Sequence, residues 1–254
     1  MELNEIYQMF DEDKRLNTSK ARSIEFLTTV RFIERYLQKD MKIIDIGAGT
    51  GAYSLYYAKQ GYDVTAVEPV ERNLASLKSK ISDDMKIKAI LGNALDLSEF
   101  DNDSFDLVLC FGPLYHLISD EEKQKCIEET RRMCKPKGKI LYAYISNDMV
   151  FVTESALYNA DFLGSDQYNH ETLKVKDIPF VFMTVDKMKD LMANSGMKEI
   201  AHFAADGLGE LLYDKINAFT ESQFCKWLDF HFYTCEKEEL LGYSNHIVYI
   251  AEKI

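Results

Sequence analysis

The stretch IIDIGAGTGAYS, residues 43–54, runs from a short apolar segment through three glycines into a segment of helical character. A glycine loop at a strand-to-helix junction lets the backbone approach a ligand closely, because no Cβ intervenes. It also turns the first N–H groups of the helix toward anionic ligand atoms. Gly47-Ala48-Gly49-Thr50-Gly51-Ala52 satisfies G-x-G-x-x-G/A, the dinucleotide fingerprint, so an NAD-dependent oxidoreductase is one reading. Asp45 weighs against it. An ionised carboxylate about 5 Å from a pyrophosphate charge costs roughly 3 kcal/mol at an effective dielectric near 20. The same carboxylate favours a cationic ligand such as an ammonium or a sulfonium. Glu68, at the end of the next apolar segment, is placed to accept hydrogen bonds from a ribose diol, which both ligand classes carry.

Outward from this loop the chain alternates short apolar runs with amphipathic segments. Strands are expected at 41–46, 62–69, 87–94, 105–112 and 137–146, and helices at 21–38, 53–60, 71–80 and 121–134. That rhythm indicates a doubly wound, mostly parallel sheet with helices on both faces. After Ser146 it breaks. Residues 147–178 have no clear period and are long for a simple connection. A helix near 186–194, a strand near 198–203, a mostly helical stretch over 208–241 and a last strand near 246–252 complete the chain. No internal repeat or low-complexity linker appears, so we expect one domain over 1–254, capped by 1–22, 147–178 and 208–241.

A chain of 254 residues that is 46% apolar can bury a substantial core. Its net charge of −12 repels phosphate backbones, so no nucleic-acid partner is expected. Cys110, Cys126, Cys134, Cys225 and Cys235 form no CxxC pair and no metal-ligand spacing, which points to reduced thiols in a cytoplasmic protein and to no metal. The first residues, MELNEIYQMFDEDKR, lack the apolar region of a secretory signal, and no apolar run reaches the roughly 18 residues of a membrane span.

D-I-G-A-G-T-G, V-E-P, G-N-A-L-D-L, D-S-F-D-L-V-L and K-P-K-G-K-I-L follow one another in the order found in class I S-adenosylmethionine-dependent methyltransferases. The chain resembles that family well over 41–146 and loosely at its ends. The resemblance implies a seven-stranded sheet whose last, antiparallel strand inserts beside the fifth, and S-adenosylmethionine as cofactor. It implies that Gly47, Ala48, Gly49 and Gly51 form the loop along the methionine part and that Asp45 reaches its ammonium. Glu68 would bind the ribose, with Pro69 against the adenine. Asn93, standing where relatives often carry Asp, would accept from the adenine amino group, and Ala94 would offer its backbone N–H. Phe111 and Gly112 would lie beneath the transferable methyl group.

The acceptor is less plainly written. GPLYHL, residues 112–117, occupies the place where amino-group methyltransferases carry Asn/Asp-Pro-Pro-Tyr/Phe, and Gly112 removes the amide that would hold a ring amine. It resembles instead a small-molecule subset, together with the motifs RLNTSKARSIEF and LLGYSNHIVYIAEK. His116 is a candidate general base and Tyr115 a candidate to orient the acceptor or close over the sulfonium. Arg15 or Arg22 is a candidate for the cofactor carboxylate. A lid with Tyr7, Met9, Phe10, Met149, Phe151, Tyr158, Phe162, Phe219, Phe224, Trp227 and Phe230 suggests a small, partly apolar acceptor. The alternatives are a non-catalytic cofactor-binding module and a protein or RNA methyltransferase.

Overall fold

The computed structural model of the chain describes Leu16 and residues 18–254; the expected roles of Tyr7, Met9, Phe10 and Arg15 lie outside the described residues. β1 (Lys42–Ile46) and β2 (Asp63–Glu68) are joined by α2 (Ala52–Lys59), after α1 (Lys20–Glu34). Then come α3 (Glu71–Ser79), β3 (Ile87–Leu91), β4 (Phe105–Cys110), α4 (Asp120–Met133) and β5 (Cys134–Ser146). α5 (Asn147–Thr153), β6 (Phe182–Met183), α6 (Val185–Ala193), β7 (Met197–Ala204), α7 (Tyr213–Asn217), α8 (Glu221–Thr234) and β8 (His246–Lys253) follow.

The sheet runs β3-β2-β1-β4-β5-β8-β7, and the two-residue β6 pairs with the end of β5 off this path. β1, β2, β3, β4 and β5 are parallel, whereas β8 is antiparallel to both β5 and β7. The seven-stranded order implied by the resemblance is therefore present, with β6 as an addition. β5 starts three residues earlier than expected. Pairing jumps from Phe105↔Cys134 to Leu107↔Lys139, so the Pro136–Gly138 turn survives as a bulge within the strand.

Alternation along the strands feeds two cores, one on each face. Ile44, Ile46, Val108, Cys110, Ile140 and Tyr142 pack against Ile127 and Met133 of α4 and Met188 and Leu191 of α6. Ile43, Leu107, Leu109, Leu141, Val248 and Ile250 pack against Phe32 and Ile33 of α1 and Tyr53 and Tyr57 of α2. Ile43, Ile44 and Ile46 are fully buried, each stabilising the fold by about 1.5–3 kcal/mol. This two-sided burial is why β1 reads as a continuous apolar run.

The segments outside the sheet form two small cores of their own. Residues 147–182 gather Phe162, Tyr168, Val175 and Phe182 around Ile145 and Tyr115. Residues 212–228 set Ile216, Phe224 and Trp227 against Ala21 and Ile24 of α1. Most of the expected lid aromatics are thus cap core, whereas Tyr158 and Phe230 are exposed. Among the described residues, no helix is long and apolar enough to cross a membrane.

Candidate cofactor and acceptor site

The glycine loop leaves β1 at its carboxyl end, and the N–H groups of Gly47 and Ala48 both donate to the Val67 carbonyl, at 2.8 and 3.0 Å. This stitches the loop to β2. Gly47 has φ +74°, and a Cβ there would stand 3.0 Å from Pro113 Cδ. The loop therefore leans directly on the Gly112-Pro113 turn after β4. Gly51, at φ +91°, opens α2, and its Cβ would fall 2.2 Å from Leu77 Cδ1. Only glycine satisfies both the left-handed backbone and that contact.

Two carboxylates flank the loop, and both are buried. Asp45 is 2% exposed and accepts from Ser54 Oγ at 2.6 Å. Burial pushes its carboxyl up to about 6; the Ser54 bond opposes the rise, and the charge of Glu68 adds to it. Glu68 is 3% exposed. Its Oε2 accepts from the Gly49 N–H at 2.8 Å, and its Oε1 from the Val70 N–H at 3.0 Å and Asn73 Nδ2 at 3.3 Å. The expected ribose acid thus also holds the loop shut against β2. Ser54 and Asn73 were not visible as site residues in the sequence. Their one signal is a small polar side chain on the inward face of an otherwise apolar or charged helix.

The adenine side is more open. Pro69 and Asn93 are exposed and Ala94 half-buried. Asn93 Oδ1 accepts from the Leu95 N–H at 2.9 Å, a local turn that orients the amide and leaves one lone pair. Beyond β4, Phe111 lies 4.8 Å from the Tyr53 ring, which stacks on Phe26 at 5.1 Å. This aromatic pile walls the loop on the α1 side.

Tyr115 packs into the cap. It is buried at 9% within the cap core, and its carbonyl accepts from the Val181 N–H at 2.8 Å. The reason is β6, which draws residues 180–183 across the turn. His116 is half-buried, its ring 5.3 Å from Phe180 and 4.9 Å from Tyr115. Arg22 is exposed beside the Tyr213 ring and Thr18. A polar hollow lined by Asn102, Arg131, Arg132 and Lys253 opens at the opposite end of the sheet, away from these groups. On the carboxyl-end side, the ends of β7 and β8 bring Asp206 and His246 against Glu25 of α1.

Residues 44–142 match a family model described as a methyltransferase domain. A demethylmenaquinone methyltransferase of Clavibacter sepedonicus is 32% identical over 109 residues, covering 43% of this chain and 43% of its own. A glycine/sarcosine N-methyltransferase of Aphanothece halophytica is 23% identical over 151 residues, covering 58% of this chain and 56% of its own. The chain spans about half the length of these relatives. A crystal structure of a Pyrococcus horikoshii OT3 protein superposes over 100% of both chains with a TM-score of 0.67 at 16% identity, a likeness of fold. Residues 44–142 thus match a methyltransferase domain, and the chain as a whole shares its fold with that structure.

Proposed function

We propose that the chain transfers a methyl group from S-adenosylmethionine to a small-molecule acceptor. The observation that carries this reading is the pair of carboxylates, Asp45 and Glu68, buried side by side at a glycine loop. Two desolvated negative charges disfavour a pyrophosphate and favour a cation. They suit the ammonium and ribose of the cofactor, and Gly47 and Gly112, which pack against each other, bring the loop and the turn after β4 together at that place. When bound, S-adenosylmethionine supplies an electrophilic methyl group on a positively charged sulfur.

Each residue then has a separable task. Asp45, held by Ser54, takes the ammonium, and Glu68 accepts the ribose hydroxyls. Asn93 and Ala94 address the adenine edge and Pro69 its face. Phe111 and Gly112 floor the methyl position, where catalysis rests on alignment and exclusion of water. Isothermal titration with S-adenosylhomocysteine and with NADH tests this directly. Saturable binding of S-adenosylhomocysteine alone is expected; binding of NADH alone would replace the reading with a dehydrogenase.

What supports a small acceptor is the position of the two caps, residues 147–182 packing on Ile145 and Tyr115 at the ends of β5 and the turn after β4, and residues 212–228 packing on α1. The named relatives act on demethylmenaquinone and on glycine or sarcosine, both small molecules. The charge of −12 argues against RNA or DNA. The five cysteines, all free thiols, suit a reducing compartment such as the cytoplasm. Incubating a metabolite extract with isotope-labelled S-adenosylmethionine is expected to yield a labelled small product. Cofactor binding with no product would favour a non-catalytic module.

His116 and Tyr115 serve in this reading as the wall that ties the acceptor side to the cap, through Phe180. For the acceptor so recovered, His116→Ala is expected to raise KM about tenfold with kcat within threefold, because a wall contributes to binding before and during reaction alike. A hundredfold fall in kcat would make His116 the base instead.

A further inference from the structure

Glu25 of the RLNTSKARSIEF motif and His246 of LLGYSNHIVYIAEK lie about 220 residues apart in the chain, yet the fold brings them together. β8 runs antiparallel to β5, so it begins where β5 ends, with His246 opposite Ile145. β7 ends beside it, with Ala204 opposite Ile247, and Asp206 follows two residues later. His246 thus stands at the carboxyl end of the parallel strands, the end that carries ligands in open α/β sheets. It lies two strand spacings, about 10 Å, across from the end of β4 and its methyl-floor residues. Its side chain is on the same sheet face as Val248 and Ile250, the face covered by α1 and α2.

The imidazole is built into a fixed setting. His246 Nδ1 lies 2.8 Å from Asp206 Oδ2 and 3.5 Å from Glu25 Oε2. Asp206 is itself clamped: its Oδ1 accepts from Ser244 Oγ at 2.6 Å and from the His246 N–H at 3.1 Å. Ser244 Oγ in turn accepts from the Gly207 N–H at 2.8 Å. Burial alone would raise the Asp206 carboxyl, but His246 and Ser244 hold it below the usual carboxylate range. An ionised Asp206 keeps the proton on Nδ1 and the lone pair on Nε2. The surrounding charged groups are Glu25 of α1 and Glu210, whose Oε1 accepts from the Tyr158 hydroxyl, with Glu154 and Arg22 acting on that pair and His231 behind Asp206. The His246 side chain is 23% exposed and that of its anchor Asp206 13%.

We propose that His246, oriented by Asp206, is the catalytic base that serves the acceptor, one whose nucleophilic atom bears a proton, an O–H or N–H. This rests on the methyltransferase reading above. As the acceptor atom's lone pair forms its bond to the methyl carbon, the S–CH₃ bond breaks and its electron pair returns to sulfur as a neutral thioether. The acceptor proton passes to His246 Nε2, and Asp206 and Glu25 balance the imidazolium until the proton leaves to solvent. Glu25 is a positioning residue here.

One test needs no acceptor. In protein labelled with ¹³C at histidine, the His246 ring signal is assigned by its loss in His246→Gln and titrated in both cofactor complexes. A sulfonium charge about 10 Å away lowers an imidazole pKa by about 0.3 to 1 unit at effective dielectrics from 80 down to near 20. We expect that difference between the S-adenosylmethionine and S-adenosylhomocysteine complexes, and equal values would overturn the placement. Failure of both ligands to bind would instead overturn the methyltransferase reading. With the labelled-product acceptor, His246→Gln is expected to lower kcat 10²- to 10⁴-fold with S-adenosylhomocysteine affinity kept. Asp206→Asn should move the acidic limb of the kcat profile to lower pH, because loss of the carboxylate makes the imidazole less basic. A kcat within threefold in His246→Gln overturns the proposal. So does micromolar Mn²⁺ broadening of the His246 signal that Glu25→Gln abolishes, which would make the cluster a cation site.

Discussion

Asp45→Asn is expected to make the protein more stable at pH 8 and a poorer binder of its cofactor. The Asp45 carboxyl stands at about 6 in the fold, from an ordinary value of 3.8, chiefly because burial penalises its charge. A carboxyl raised on folding carries no penalty below the unfolded value. The penalty grows as pH rises from 3.8 through 6 and is complete above it. Two units correspond to about 3 kcal/mol, with about 1 kcal/mol a lower bound because asparagine keeps a weaker bond to Ser54. Denaturant unfolding should show this gain at pH 8 and little of it at pH 4. Binding should run the other way. A cationic ligand needs the ionised form, so wild-type affinity for S-adenosylhomocysteine falls as pH drops below 6. In Asp45→Asn it is at least tenfold weaker at pH 8 and flatter with pH. A variant less stable at both pH values would show instead that the Ser54 bond outweighs the buried charge.

Gly51→Ala is expected to destabilise the fold by about 2–5 kcal/mol. A left-handed backbone at φ +91° costs a non-glycine residue about 1–2 kcal/mol. A methyl group 2.2 Å from Leu77 Cδ1, in a fully buried contact, adds about 1–3 kcal/mol of overpacking. The two contributions are separable. In a Leu77→Ala background the clash disappears while the backbone strain remains, so Gly51→Ala should then cost only about 1–2 kcal/mol. Urea midpoints of the four proteins give that cycle. Additive costs would mean that α2 shifts as a body away from α3, and the packing account of Gly51 would fail.

The parallel strands and the glycine loop were legible because their chemistry is local. Ile43, Ile44 and Ile46 announce a strand buried on both faces. Asp45, the glycines and Glu68 then stand at strand ends, where any doubly wound sheet collects its ligands. The packing of Tyr115 into the cap was not legible, for the opposite reason. Its surroundings, Phe162, Tyr168, Val175 and Phe182, come from a segment with no period, and only β6 pairing with Ile145 and Ser146 turns that segment into a core. The partners of Glu68 were equally hidden, since a buried carboxylate's hydrogen bonds depend on which N–H groups the loop presents.

Residues 41–146 by themselves determined the five parallel strands with their alternating helices, and they carry the residues proposed here for a cationic adenosyl ligand. Strand period, glycine spacing and the charge of Asp45 are properties a chain carries before it folds. The tertiary structure alone decided the register at which the remaining segments meet. Insertion of β8 between β5 and β7 sets Ile145 opposite His246, and that register places the His246 imidazole on Asp206 and beside Glu25. A one-residue slip would turn His246 to the other face of the sheet. No local pattern encodes that choice; the burial of Ile247, Val248, Tyr249 and Ile250 on opposite faces does.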